Sequence, residues 1–78
     1  MNQYKRQIGV RDYVIATYDP KQFPTDSIWQ WGATGIHRVI DTDGDCLYLK
    51  DDPRGKRFGW DRDFFQLFIP PHSNQEPL

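Results

Sequence analysis

Two apolar segments, one near each end of the chain, indicate β-strands. The segment over residues 12 to 18 is rich in β-branched and aromatic residues whose side chains fall alternately on two faces. Near the other end, apolar side chains alternate from Phe65 to Ile69. Residues 60 to 68 contain a strand end, a polar turn and most of this last strand. This is the arrangement by which small β-barrels close. We therefore predict that the first and last strands lie side by side.

The middle of the chain predicts three further strands. In residues 36 to 40 the alternation slips by one position at Val39, which favours a β-bulge. Asp43 and Gly44 form a hairpin signal, because these residues accept the positive φ values of a tight turn. The third and fourth strands are predicted over residues 46 to 50 and 57 to 60.

The connection before the last strand is predicted to be short, and the connection after the first strand is predicted to be long. Before the last strand, Asp61 offers a capping carboxylate for a short 3-10 turn. After the first strand, residues 19 to 31 hold two prolines and several aromatic side chains without a clear strand or helix pattern. Such a long loop is usually functional or disordered, and its aromatic residues favour function. The predicted fold is all-β, a single five-stranded barrel over residues 10 to 69.

The two ends of the chain are predicted to lie outside this barrel. Residues 1 to 9 are mostly polar and end at Gly9, which favours a flexible N-terminal arm. Residues 70 to 78 contain three prolines among polar residues. Because proline cannot donate a backbone hydrogen bond, this segment is predicted to be a disordered tail.

Size, charge and cysteine content narrow the functional classes. A chain of 78 residues buries only about 60% of its unfolded surface. Three Trp, four Tyr and five Phe exceed what so small an interior is expected to hide, and exposed aromatic rings are typical of docking sites. The net charge of −1 gives no general attraction to nucleic acid or anionic membranes. One cysteine, no signal-peptide core and no long apolar run predict a cytoplasmic protein without membrane contact.

Short motifs resemble parts of known small barrels. Ala-Thr-Tyr-Asp at residues 16 to 19 resembles the Ala-Leu-Tyr-Asp-Tyr opening of eukaryotic SH3 domains, and residues 59 to 65 stand where that family has its closing segment. The Trp-Trp pair that begins the third SH3 strand, and forms the floor of the groove for proline-rich peptides, is absent. Gly32 to Gly35, followed by a strand and a hairpin, is similar to KOW-type bacterial and phage barrels. These resemblances imply an SH3-like barrel and, by analogy, a small accessory or regulatory protein.

Two groups of residues raise the question of metal binding or catalysis. Asp41, Asp43 and Asp45 alternate as in calcium loops, but an EF-hand needs glycine sixth and glutamate twelfth, whereas here Gly44 is fourth and Asp52 is twelfth. His37 and Cys46 fall on neighbouring predicted strands, yet no orienting group accompanies them. The chain is therefore predicted to be non-enzymatic, without a metal or cofactor.

The strongest candidate site is a set of aromatic residues from the first loop and from the far end of the fold. In an SH3-like barrel these two regions lie on the same side, which would gather the rings into one surface for a protein partner. The alternative is that the two loop indoles cover the core as a lid. The predicted protein-binding residues are Tyr18, Phe23, Trp29, Trp31 and Trp60.

A second candidate surface is basic. Cations around the second turn would neutralise phosphates, with aromatic neighbours stacking on bases, although acidic residues lie close in the sequence. The nucleic-acid-binding alternative comprises Lys50, Arg54, Lys56 and Arg57. Open sheet edges would also allow strand addition, so the chain is predicted to be a monomer or a weak homodimer.

Overall fold

The computed structural model describes residues 8 to 70, and its five strands form one antiparallel sheet. The strands are β1 (Tyr13–Ala16), β2 (His37–Asp43), β3 (Cys46–Leu49), β4 (Trp60–Asp61) and β5 (Phe65–Phe68). Their order across the sheet is β4-β3-β2-β1-β5. The all-β prediction is confirmed. The predicted flexible arm and disordered tail lie almost wholly outside the described residues.

The predicted pairing of the first and last strands is also confirmed. β1 and β5 are antiparallel, with Tyr13 opposite Phe68 and Ala16 opposite Phe65. The backbone N–H of Thr17 extends this ladder by donating to the carbonyl of Phe64 at 2.8 Å. The two ends of the described chain are thereby held in one sheet.

The prediction of a closed barrel is wrong. β4 and β5 lie at opposite edges of the sheet, and no strand register joins them within residues 8 to 70. Arg57 and Phe58 of the predicted fourth strand form a bend, and β4 contains only two residues. Both residues of β4 pair with β3, and the chain then enters a 3-10 turn that leads into β5. Side chains connect the two edges instead, since the Trp60 and Phe65 rings meet edge-on with centroids 5.4 Å apart.

The hairpin, the bulge and the short turn before β5 are present as predicted from the sequence. The β2–β3 register shifts between Val39 and Asp41, which is the irregularity expected near Val39. Gly44 has a φ of +62° in the connecting turn. A 3-10 turn over Arg62–Phe64 precedes β5, and the Asp61 carboxylate accepts a hydrogen bond from the N–H of Asp63 at 2.9 Å.

The long first loop is structured, contrary to the sequence pattern. It contains a 3-10 turn (Pro20–Gln22) and a six-residue helix, α1 (Ser27–Gly32). The carboxylate of Asp26 caps α1 by accepting from the N–H of Ile28 at 3.1 Å. The side-chain amide of Gln30 donates to the carbonyls of Pro20 and Phe23, both at 2.8 Å, and so ties the helix to the turn.

The hydrophobic core lies between the sheet and this loop. It consists of Val14, Val39, Leu47, Leu49, Trp60 and Phe65, all buried. Ile28, Trp29 and Trp31 of α1 pack against it, so the loop covers part of the core that the open sheet leaves uncovered. No helix within residues 8 to 70 is long and apolar enough to cross a membrane.

Gly32 is expected to resist even the smallest substitution. A Cβ at this position would overlap the Tyr18 hydroxyl and the Trp60 ring. Replacing a helical glycine by alanine usually stabilises by up to about 1 kcal/mol. We predict that Gly32→Ala instead lowers the free energy of unfolding by about 1 to 3 kcal/mol, the usual cost of overpacking, in urea denaturation.

A Ser27→Ala variant on the exposed first turn of the same helix is the control, since it changes α1 without touching the core. An unchanged or raised stability of Gly32→Ala would show that the helix is not held against Trp60 as described.

Candidate functional site

Aromatic side chains from the first loop, β4 and the second 3-10 turn form one cluster. Tyr18 lies at its centre, with its ring centroid 5.0 Å from that of Trp29 and 5.8 Å from that of Phe64, both edge-on. Its ring is nearly parallel to that of Trp60, at 6.5 Å. Edge-to-face and offset pairs contribute roughly 0.5 to 1.5 kcal/mol each beyond burial. The aromatic cluster comprises Tyr18, Phe23, Trp29, Trp31, Trp60 and Phe64.

Trp29 joins the first loop to the rest of the aromatic cluster. Its ring stacks on Phe23 with centroids 4.5 Å apart and an interplanar angle of 18°. It meets Trp60 edge-on at 5.3 Å and Phe64 edge-on at 5.0 Å. The helix, the sheet and the turn before β5 therefore share one aromatic contact region.

The Tyr18 hydroxyl fixes α1 against the sheet. It donates a hydrogen bond to the backbone carbonyl of Trp29 at 2.6 Å. Burial, followed by the nearby negative charge of Asp26, raises the pKa of Tyr18 to about 12. Because the phenol stays protonated at neutral pH, this hydrogen bond does not depend on pH in that range.

Trp31 faces a different part of the aromatic cluster. Its ring lies against His37, with centroids 4.3 Å apart, and reaches Trp60 at 6.2 Å. Nε2 of His37 is 3.0 Å from the carbonyl of Gly32 at the end of α1. Trp29 and Trp31 lie two positions apart in α1, and helical residues at this spacing do not share a face.

The aromatic cluster is partly core and partly surface. Trp60 is 4% exposed and belongs to the hydrophobic core. Tyr18, Phe23, Trp29 and Trp31 are half-buried. The structure therefore brings all five sequence-predicted aromatic residues together, and the two loop indoles cover the core while keeping part of their surface accessible.

A buried carboxylate holds the Trp60 indole. The Asp52 side chain is 1% exposed and accepts a hydrogen bond from Nε1 of Trp60 at 2.9 Å. It also accepts from the backbone N–H of Arg54 at 2.8 Å and from its Nε and Nη2 at 3.1 and 3.0 Å. The Arg54 guanidinium lies over the Trp60 ring, 4.9 Å from its centroid, within the range of cation–π attraction. We call these three residues the Asp52–Arg54–Trp60 unit.

Opposing effects act on the pKa of Asp52. Burial alone raises it, because a low dielectric disfavours the anion. Hydrogen bonds from Arg54 and Trp60, together with the charge of Arg54, outweigh burial and hold the pKa below the usual 3.8. The carboxylate is therefore ionised near neutral pH, with its charge paired inside the fold.

A groove of about 210 Å³ opens beside the Asp52–Arg54–Trp60 unit. It is lined by Ile28, Trp29, Arg54, Gly59, Trp60, Asp61 and Phe64. Most of these side chains are apolar, with one cation and one carboxylate among them. The volume is below the roughly 300 to 1,000 Å³ that is usual for small-molecule sites. We call this feature the aromatic groove.

Two of the four predicted nucleic-acid-binding cations have internal partners. Arg54 is paired with Asp52, and Lys56 Nζ is 2.6 Å from the carboxylate of Asp41. Lys50 and Arg57 are exposed, and no side-chain ion pair joins either to another residue within 8 to 70. The basic residues therefore do not form one continuous set of available charges.

The structure separates the candidate nucleophile from its candidate base. Cys46 lies opposite Asp43 at the hairpin turn, whereas His37 begins β2, six positions from Asp43. At about 3.3 Å per residue this separation is roughly 20 Å along the strand. Among residues 8 to 70, no group of acidic, His or Cys side chains is arranged to hold a metal ion.

Several residues of the site are not identified by the sequence patterns. Asp52 stands in a segment that has the composition of an exposed turn, and only the tertiary structure shows that Trp60 lies above it. Ile28 and Phe64 line the aromatic groove because α1 and the second 3-10 turn come together there, where the Trp29 and Phe64 rings are in contact. The one local signal for α1 is Asp26, a helix-capping residue directly before Ser27.

Comparison with protein-family models, with curated proteins and with solved structures gives no match to this chain. The geometry of the chain itself is therefore the basis for the functional proposal below.

The Asp52–Arg54–Trp60 unit is expected to make stability depend on pH in the acid range. Since the folded pKa of Asp52 lies below the unfolded value of about 3.9, its contribution is complete above that pH and is lost as pH falls through the folded pKa. We predict that Asp52→Asn lowers the free energy of unfolding by about 1 to 3 kcal/mol at neutral pH. The difference from the wild type should shrink in acid, as the pH falls below the unfolded pKa of about 3.9.

Asp51→Asn is the matched control, because Asp51 is the adjacent exposed aspartate and its φ of +67° suits asparagine. Urea denaturation at both pH values measures the effect. Equal stabilities of Asp52→Asn and Asp51→Asn at neutral pH would refute a structural role for the buried carboxylate.

Proposed function

We propose that the protein is a non-catalytic binding module that captures an apolar segment of another protein in the aromatic groove. The observation that carries this proposal is the groove itself, an open site walled by half-buried rings of the aromatic cluster. Tyr and Trp side chains are enriched where partners dock, because they offer a large, rigid contact area.

The size of the aromatic groove supports a protein partner. A volume of about 210 Å³ accommodates one or two side chains better than a cofactor or a complete small-molecule substrate. The walls are also held in place before binding, since Gln30 anchors α1 and the Tyr18 hydroxyl holds the carbonyl of Trp29. A prearranged surface loses little conformational entropy when a partner docks.

The charges around the aromatic groove favour a protein partner over a nucleic-acid partner. Asp61 lines the groove, and the neighbouring Asp63 is exposed as well. Arg54 is the only cation among the described residues that line the groove, and it already shares its charge with Asp52. Phosphate groups would meet repulsion from the two aspartates without a compensating free cation. The nucleic-acid alternative thus has less support from the geometry than the protein-binding proposal.

The topology is compatible with a relationship to SH3-like barrels. The pairing of β1 with β5, the long first connection and the 3-10 turn before β5 are all present, as expected from the sequence pattern for an SH3-like fold. We include in the proposal that the chain is an open variant of such a barrel and that it acts as an accessory or regulatory protein on a larger complex.

A substitution in the wall of the aromatic groove tests the proposal. Ile28 lies in the groove on α1, and a lysine there would place a charge among the rings. A random peptide library selected on the wild-type protein should yield ligands whose binding weakens by tenfold or more in Ile28→Lys, measured by calorimetry. Chemical shifts of the Trp29 indole N–H should move on titration with these peptides.

Ile36→Lys is the matched control, because it makes the same change at an exposed residue outside the aromatic groove. Both variants must show wild-type circular dichroism. The proposal fails if no ligand is selected, or if Ile36→Lys weakens binding as much as Ile28→Lys does.

A further inference from the structure

One long edge of the sheet has no neighbour within residues 8 to 70. β5 pairs with β1 on one side and ends the strand order on the other. An edge strand offers unpaired N–H and C=O groups, which another strand can extend. The opposite edge, β4, contains only two residues and carries the exposed Asp61. β5 is therefore the edge that can accept a further strand.

The hydrogen-bond pattern shows which backbone groups point outward. The N–H of Thr17 donates to the carbonyl of Phe64, and Thr17 and Phe64 continue the β1–β5 register. In an antiparallel sheet, alternate residues of a strand form their backbone hydrogen bonds with the same neighbouring strand. Gln66 and Phe68 therefore direct their backbone groups toward β1. By the same alternation, Leu67 directs its groups to the open side, and a continuation of the strand past its end at Phe68 gives Ile69 the same direction.

The composition of this edge lacks the usual protection. Proteins commonly place charged residues, prolines or bulges on exposed edges to prevent strand addition. Residues 65 to 69 carry no charge and no proline, and the β1–β5 register contains no shift. Ile69 is 61% exposed, although it is a large apolar side chain. The edge is thus uncharged, regular and partly apolar.

We propose that two copies of this chain associate through their β5 edges, in antiparallel orientation about a two-fold axis at Phe68. In this register Leu67 of one copy lies opposite Ile69 of the other. In each such pair, the backbone N–H of either residue donates to the backbone C=O of the other, which gives two hydrogen bonds. The dimer contains two of these pairs, and they use only backbone groups that point outward. An uncharged strand pairs with its own copy without bringing like charges together.

The proposed register also explains how the proline after β5 is accommodated. Pro70 would lie opposite Gln66 of the second copy, at a position where neither residue bonds across the new interface. Phe68 would lie opposite Phe68 of the second copy, and cross-strand aromatic pairs stabilise adjacent strands. The combined sheet would have ten strands. The proposal is independent of the aromatic groove, in which neither Leu67 nor Ile69 takes part.

Sedimentation velocity over a wide concentration range tests the dimer. The wild type should change reversibly from monomer to dimer with rising concentration. Ile69→Pro removes the outward N–H without removing a bond to β1, and should raise the dimer Kd by roughly tenfold or more. Ile36→Lys alters an exposed isoleucine on the far side of β1 and should leave the dimer Kd unchanged.

A charge-reversal pair tests the register directly. Phe68→Lys and Phe68→Glu each place two like charges face to face across the two-fold axis, so each alone should be monomeric. An equimolar mixture should restore a dimer of the two variants. If either variant is unfolded by circular dichroism, the result with Ile69→Pro decides the proposal.

A wild type that stays monomeric at all concentrations would overturn the proposal. So would a dimer that survives Ile69→Pro, or one that is lost in Ile36→Lys to the same extent, since either result would place the interface elsewhere.

Discussion

The packing of the Trp60 indole is the interaction on which the rest of the structure depends. The five-stranded sheet is open, so backbone hydrogen bonds do not connect its two edge strands. Trp60, on one edge, meets Phe65 on the other, and it also lies against Tyr18 and Trp29 from the first loop. One buried side chain thus links both edges and the loop that covers the core. A chain of 78 residues can bury only a small core.

The position of this ring is itself determined by charge. The indole N–H donates to Asp52, and Arg54 pairs with that carboxylate while lying over the ring. A buried carboxylate is costly unless its charge is paired and hydrogen-bonded, and here both conditions are met. Directional bonds specify the ring orientation more narrowly than apolar contact does. The aromatic groove lies beside this unit, so the same contacts that complete the core also shape the candidate binding surface.

The sequence allows the strand framework to be predicted, because short-range rules determine it. The turn at Gly44, the capping carboxylate of Asp61 and the alternation in β1 and β5 are local signals, and each corresponds to an observed element. Closure of the sheet is predicted incorrectly, since it depends on how many residues of the fourth strand find a partner. The pattern of apolar residues from 57 to 60 does not show how many of these residues pair with another strand.

The helix and the buried ion pair are missed for a different physical reason. α1 has only six residues, too few for a helical period to emerge. It is stabilised by the Asp26 cap and by contacts with Trp60 that are distant in sequence. Arg54 looks like an available surface cation until the fold places Asp52 and Trp60 around it. The five aromatic residues of the candidate site are nevertheless brought together, because Tyr18, Trp29 and Trp31 all pack against Trp60.

Hydrogen exchange in a Trp60→Phe variant is the most direct test of the central role given to this ring. The amide of Ala33 reports on α1 through its bond to the Trp29 carbonyl, and the amide of Thr17 reports on the β1–β5 pairing. If Trp60 joins the loop to both sheet edges, the free energies of exchange at Ala33 and Thr17 should fall together and by similar amounts. Loss of protection at Ala33 alone, with Thr17 unchanged, would contradict the account.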